Sequence, residues 1–159
     1  MFAQRLLKPE ELYFAVLAGT EAEELGAWNR SNDTPEMIKR FITSTSRGLI
    51  EIRKGYTETA QFIHESVNDF LLRNKRLQRL DPTLEQQAIG GSHDRLIACC
   101  MSYIIIEELE LLVRKPDAKE LAFNYPSLDY TVVYILYYAQ VGCIAQQALV
   151  ELLEGKWRF

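Results

Sequence analysis

Apolar and polar positions recur along this chain with two periods, one helical and one alternating. Two stretches place apolar residues at helical spacing: one begins at Pro9 and the other at Pro35, with Thr34 as its predicted N-cap. Residues 49–53 and 59–64 instead alternate as strands do, and a glycine-containing turn separates them. The pattern therefore predicts two helices followed by a β-hairpin, which is the order at the end of a winged-helix domain.

Further helices are predicted after the hairpin. A short helix from Glu65 has Val67, Phe70 and Leu71 on its predicted inward face. A longer helix is predicted to begin after Ser92, its N-cap, and to end near residue 113. Two more helical stretches follow, one from about residue 125 and one over residues 143–153.

These elements predict a mainly α chain in two parts. Residues 1–76 would form a winged-helix module with one small β-hairpin, and residues 77–159 would form a helical bridging module. A length of 159 residues with 48% apolar residues suits one ordinary domain or two small ones, and it argues against a disordered chain.

Charge adds a second division to this picture. The net charge is −4, yet residues 39–79 carry nine basic and four acidic side chains. A chain that is acidic overall is not typical of a nucleic-acid-binding protein. Four of the basic residues lie close together in the sequence and are candidates for an interaction site: Arg73, Lys75, Arg76 and Arg79.

The basic segment 73–79 supports two interpretations. It could contact the phosphates of DNA, which makes a DNA-binding winged-helix protein the alternative function. It could instead be a solvated face or meet the acidic flanks of the same chain. We favour the second interpretation, because the predicted helix from Thr34 and the hairpin tip, the parts that would enter DNA, carry few basic residues.

The cysteine usage and the hydropathy of the chain predict the cellular compartment of the protein. Of the three cysteines, Cys99 and Cys100 are adjacent, which disfavours a disulfide between them, and Cys143 makes the count odd. A reducing environment fits this usage best. The N-terminus lacks the apolar core of a signal peptide, and no apolar run reaches the ~18 residues of a membrane span. We expect a cytoplasmic protein without a membrane segment.

Candidate catalytic patterns are weak. No phosphate-binding loop of the form Gly-x4-Gly-Lys-Ser/Thr is present. Ser92, His93 and Asp94 are consecutive, whereas a triad converges from separate elements. Cys99 and Cys100 lie in an apolar helical run, which favours small core residues over the nucleophile of a small hydrolase. Two histidines and no Cys-x2-Cys spacing argue against zinc. We therefore expect no catalytic site, no cofactor and no metal.

Five segments, in order, resemble the middle of the NACHT-type STAND NTPases with ankyrin repeats that are abundant in filamentous fungi. Residues 62–72 resemble the segment that ends the winged-helix domain of that family. Residues 7–15 are similar to the first winged-helix helix of the family, and residues 46–52 to its first wing strand. Residues 92–96 with Cys99 and Cys100 are similar to the start of its bridging segment. Residues 125–130 with 137–139 are similar to the next helical stretch.

The resemblance implies a regulatory role. In the family, a nucleotide-binding core hydrolyses ATP or GTP, and the winged helix relays the nucleotide state to C-terminal repeats. A histidine at the strand-to-helix junction of related immune receptors, within a Met-His-Asp motif, contacts the β-phosphate of ADP. By position this histidine is His64, although Ile63 and Glu65 replace the flanking residues. From spacing alone, His64 would be a half-buried side chain with backbone partners.

Neither the nucleotide core nor the repeats are expected within these 159 residues. The predicted partners are therefore a second protein or a second copy of the chain, and a nucleotide would be reached only through a separate core. The aromatic content supports an exposed interaction surface, because a small bridging module is not expected to bury all of these side chains. They are Tyr125, Tyr130, Tyr134, Tyr137, Tyr138, Trp157 and Phe159.

Overall fold

A computed structural model describes residues 3–82, 88–106, 109 and 117–141, and within these ranges the fold is mainly α with one small antiparallel β-hairpin. This confirms the predicted fold class. The helices are α1 (Pro9–Thr20), α2 (Pro35–Thr45), α3 (Glu65–Leu72), α4 (Arg76–Leu80), α5 (Ala88–Ile104), α6 (Ala118–Asn124) and α7 (Leu128–Val141). The strands are β1 (Ile50–Arg53) and β2 (Thr59–Phe62), and short 3-10 turns cover Ala22–Glu24 and Arg73–Lys75.

The first two helices begin where their sequences predict. In α1, Pro9 occupies the first turn and the Glu11 carboxylate accepts a hydrogen bond from the Lys8 backbone N–H at 2.8 Å. In α2, the Thr34 hydroxyl accepts from the Met37 N–H at 3.3 Å. Both devices satisfy backbone donors that have no partner within the helix, so local chemistry alone defines these starts.

The β-hairpin, residues 49–63, is called the wing, and it also matches its prediction. Ile50 pairs with Phe62 and Arg53 with Thr59 in antiparallel register. On the other side of β2, the Ala60 N–H donates to the Leu7 carbonyl at 2.8 Å, which attaches the chain before α1 to the sheet edge. The N-terminal segment thereby becomes part of the hairpin region.

One hydrophobic cluster includes residues from both predicted modules. Helices α1 and α2 contribute Tyr13, Phe14, Ile38 and Ile42, and residues after 100 contribute Tyr103, Ile106, Leu109 and Tyr125. Helices α1 and α5 come so close that a Cβ built on Gly19 would lie 3.0 Å from Cys99 Sγ. The division at residue 76 stays a prediction, and packing continues across it.

A second cluster joins α5 to α7. Its members are Ile97, Cys100, Tyr130, Ile135, Tyr138 and Ala139. Ile97 and Tyr138 are fully buried, and each buried side chain of this size stabilises the fold by about 1.5–3 kcal/mol. Helices α1, α2, α5, α6 and α7 together are called the helical core.

Two local predictions were wrong. Ser92 is not an N-cap, because α5 begins four residues earlier at Ala88 and Ser92 is buried inside it. Burial of Ser92 and His93 against neighbouring helices outweighs the helix-breaking tendency of the preceding glycines. Phe70 is exposed, not inward, and Arg76 lies over its ring. The predicted helix over 143–153 and most of the predicted stretch from 105 to 113 lie outside the described residues.

Candidate interaction site at the wing and arm

The strand-to-helix junction places His64 at the start of α3. His64 has an extended backbone, and its Nδ1 accepts a hydrogen bond from the Ser66 N–H at 3.1 Å. The Ser66 hydroxyl lies 2.8 Å from the same nitrogen. The imidazole is therefore the N-cap of α3, a role that Ser, Thr, Asp or Asn usually fills. The side chain is exposed, so the half-buried environment predicted from spacing was wrong.

The cap determines the chemistry of the ring. A nitrogen that accepts from a backbone N–H carries no proton, so the neutral imidazole holds its proton on Nε2. Among the described residues, no hydrogen bond to Nε2 is formed. His64 can therefore donate an N–H to an anionic oxygen that approaches from solvent, while its other nitrogen holds the helix end.

The segment after His64, residues Glu65–Leu80, forms an exposed arm made of α3, a 3-10 turn and α4. Neither α3 nor α4 has a buried residue. The two helices are separated by a kink at Asn74 and Lys75, whose φ angles of 53° and 55° are left-handed. Such backbone is uncommon for non-glycine residues, and lysine, unlike asparagine, is not among the types enriched there. The arm is thus bent by its backbone and receives little support from packing.

The four basic candidates lie on this arm, where two have partners on the arm itself and two are exposed. The Arg73 guanidinium is 4.0 Å from the Asp69 carboxylate, one helical turn away. Arg76 lies over the Phe70 ring at 4.0 Å and donates to its carbonyl at 3.4 Å. The other two, Lys75 and Arg79, are exposed. In the described part of the chain, no hydrogen bond or ion pair joins any of the four to His64.

Of the seven aromatic residues predicted to exceed what the C-terminal module can bury, three are buried, Tyr134 is half-buried and Tyr137 is exposed. Tyr130 and Tyr138 are buried in the cluster between α5 and α7, with Tyr138 fully enclosed, and Tyr125 is buried in the cluster that includes α1 and α2. Trp157 and Phe159 lie outside the described residues.

Another part of α7 is exposed instead. Its apolar face consists of four side chains at i, i+1, i+4 and i+5 spacing, which share one side of a helix. They are Val132, Val133, Leu136 and Tyr137, each at least 39% exposed. The sequence of α7 indicates this exposed face, because its apolar residues surround the helix. The neighbouring helix α5 covers one side and leaves apolar residues on the other side exposed.

The candidate nucleophiles sit in the helical core. Burial raises the pKa of the Cys99 thiol and raises that of Cys100 to about 12, so both thiols are protonated at neutral pH. His93 is buried beside the rings of Tyr137 and Tyr138, and burial lowers its pKa. Within the described ranges, no group of three potential metal ligands occurs.

No described helix combines the length and apolar content that a membrane crossing requires.

Comparisons with known proteins identify no relative for this chain. No protein-family model matches it, and no curated protein or solved structure shows significant similarity.

Proposed function

We propose that this chain is a non-catalytic regulatory and interaction module that relays the nucleotide state of a separate NTPase core to a partner protein. The observation that carries the proposal is the geometry of His64. It stands exposed at the junction between wing and helix, with Nδ1 occupied by the cap and an Nε2–H open to a phosphate oxygen. This is the position that the resemblance to NACHT-type NTPases assigns to a phosphate-contacting histidine.

The cap supports this role physically. A neutral imidazole can donate to phosphate without adding a fixed charge, and the hydrogen bond at Nδ1 holds the tautomer in which Nε2 is the donor. The ring is also held at a helix N-terminus, where an anion is favoured by the helix dipole. Binding therefore requires no change of tautomer and little ordering of the side chain.

The exposed face of α7 supports the second half of the proposal, a protein partner or self-association. Four neighbouring apolar side chains on one helix face form a patch of the kind that interfaces cover. Light scattering as a function of concentration tests this point. We expect association, reduced by Leu136→Glu, and a monomer that binds no apolar dye would contradict it.

Duplex DNA binding has less support. Arg73 and Arg76 are engaged by Asp69 and Phe70, so two of the four basic side chains that would contact phosphates have partners on the arm itself. Titration with duplex DNA at low salt distinguishes the two functions. Binding that falls steeply with added salt and on neutralising Lys75 and Arg79 would favour the DNA function.

The decisive experiment separates the cap from the donor. An ADP-loaded NACHT-type nucleotide-binding domain is titrated with the wild-type chain, His64→Ala and His64→Ser. Serine is a good N-cap but cannot replace the imidazole N–H, whereas alanine removes both. A hydrogen bond to a charged group contributes about 1.5–3 kcal/mol, so both variants should weaken binding by roughly ten-fold or more.

The two variants also define the contrary result. If His64→Ser binds as tightly as wild type and only His64→Ala is weakened, then His64 acts as a helix cap alone. Equal affinity for ADP-loaded and empty domains would likewise contradict a relay of nucleotide state.

A further inference from the structure

A short segment before α1 contacts three different parts of the fold. This segment, residues Gln4 to Lys8, is called the strap. At its first residue, the Gln4 N–H lies 3.3 Å from Tyr130 Oη and 3.2 Å from Tyr138 Oη. The two hydroxyls also hydrogen-bond to each other. Both tyrosines are buried on α7, so the strap begins with an attachment to the helical core.

The middle of the strap is fastened to α1. The Arg5 guanidinium makes two parallel hydrogen bonds to the Glu11 carboxylate, at 2.7 and 2.8 Å, and lies 5.0 Å from the centre of the Tyr130 ring. Glu11 is only 3% exposed, so its charge depends on this pair and on the Lys8 N–H at 2.8 Å. Fork-to-fork pairs of this kind restrict orientation as well as distance.

The far end of the strap is attached to the wing. The Leu7 carbonyl accepts from the Ala60 N–H of β2 at 2.8 Å. Only two residues separate Gln4 from Leu7, a span of at most about 10 Å, so the strap has little slack between its anchors.

We propose that the strap couples the wing to α7, so that release of either anchor loosens the other. The three attachments lie within five residues, and a chain this short opens as one unit. The coupling requires no nucleotide, so it goes beyond the proposed function and stands or falls separately from it. If that function also holds, the strap is a route from the wing, which ends at His64, to the apolar face of α7.

Amide hydrogen exchange of the whole chain tests the coupling, with the two α7 hydroxyls removed together in Tyr130→Phe/Tyr138→Phe. The rings stay, so packing is retained. We expect exchange at the Ala60 amide, at the opposite anchor, to rise roughly five-fold, the factor that corresponds to one ordinary hydrogen bond. The Ile63 amide is an internal control in the same hairpin, because it donates to Leu49 at 3.1 Å and not to the strap.

Tyr13→Phe is the matched control variant, since it removes a tyrosine hydroxyl that bonds Asp33 at 3.1 Å and does not touch the strap. It should leave Ala60 unchanged. If the double variant does not fold, Arg5→Ala supplies the same test from the middle of the strap, with faster exchange expected at both Gln4 and Ala60. The coupling is overturned if Ala60 keeps its protection while Gln4 loses it, or if Ala60 and Ile63 rise equally.

Discussion

The helical core and the arm differ sharply in how they are held. Ile97, Tyr103 and Tyr138 in the core are each at most 1% exposed, whereas the arm, residues Glu65–Leu80, has no buried residue in either helix. Packing fixes the core, while the arm depends on a histidine cap, a kinked backbone and ring stacking. His64 and the four basic candidates lie at or on the arm, where packing contributes least to stability, whereas the exposed apolar face of α7 belongs to the helical core.

This difference is consistent with the proposed function. Segments that bind other molecules are commonly drawn from the less stable part of a protein, because they must adapt to a partner. His64 and the basic residues 73–79 lie at or on such a segment, and the well-packed helical core flanks that segment in the sequence. Substitutions in the two regions test this difference in packing.

The largest expected effect is in the core. Ile97→Ala leaves a cavity at a fully buried position and should lower the free energy of unfolding by about 3 kcal/mol. Leu72→Ala on the arm removes a side chain that is 44% exposed and should cost less than ~1 kcal/mol. Urea unfolding of both variants measures the contrast. Equal losses would show that the arm is as much a part of the cooperative unit as the core.

A charge pair gives the next largest contrast. Arg5→Ala leaves the buried Glu11 carboxylate without its guanidinium and should cost about 2–3 kcal/mol. Arg73→Ala removes an exposed pair with a 4.0 Å separation and should cost less than ~0.5 kcal/mol. The same unfolding experiment applies. A cost for Arg73→Ala that matches that of Arg5→Ala would mean that the arm pair is more than a surface contact.

The smallest expected effect depends on pH. Burial lowers the pKa of His93 below its unfolded value of 6.5, although the neighbouring Asp94 carboxylate acts in the opposite direction. Below pH 6.5 the unfolded chain therefore binds a proton at His93 that the folded chain does not, so acidification destabilises the fold. Above pH 6.5 this contribution is constant.

His93→Phe tests this effect because it removes the titration and keeps a ring beside Tyr138. Unfolding midpoints measured at pH 7.5 and pH 5.5 should fall more for wild type than for the variant. Carboxylates titrate in both proteins, so the difference isolates His93. The same pH dependence in both would contradict a lowered pKa.

Local chemistry explains which elements were predictable. Pro9, Thr34 and the alternation around the hairpin each satisfy or remove backbone donors within a few residues, so their effects do not depend on distant parts of the chain. Ser92 was mispredicted because a cap preference is weaker than the packing of α5 against α7. Tyr138 is buried and the adjacent Tyr137 is exposed. Which of the two is buried depends on how α5 packs against α7, and no local sequence pattern encodes that packing.

The site shows the same limit. The place of His64 between strand and helix was predicted from the sequence pattern and its phosphate contact only from the resemblance, while its exposure and its cap with Ser66 became evident only in three dimensions. The strap was missed entirely, since nothing in the sequence connects Gln4 with Tyr138, 134 residues away. Contacts between distant residues are the part of a fold that a single sequence reveals least.

Native-state hydrogen exchange along the whole chain tests the central claim most directly, the claim that a stable core carries an arm which opens on its own. Amides of α5 and α7 around Ile97 and Tyr138 should exchange only through global unfolding, and those of α3 should exchange at least about a hundred-fold faster. Ala60, held by the strap, should be protected more than the arm that follows it. Uniform protection from α3 to α7 would contradict the account.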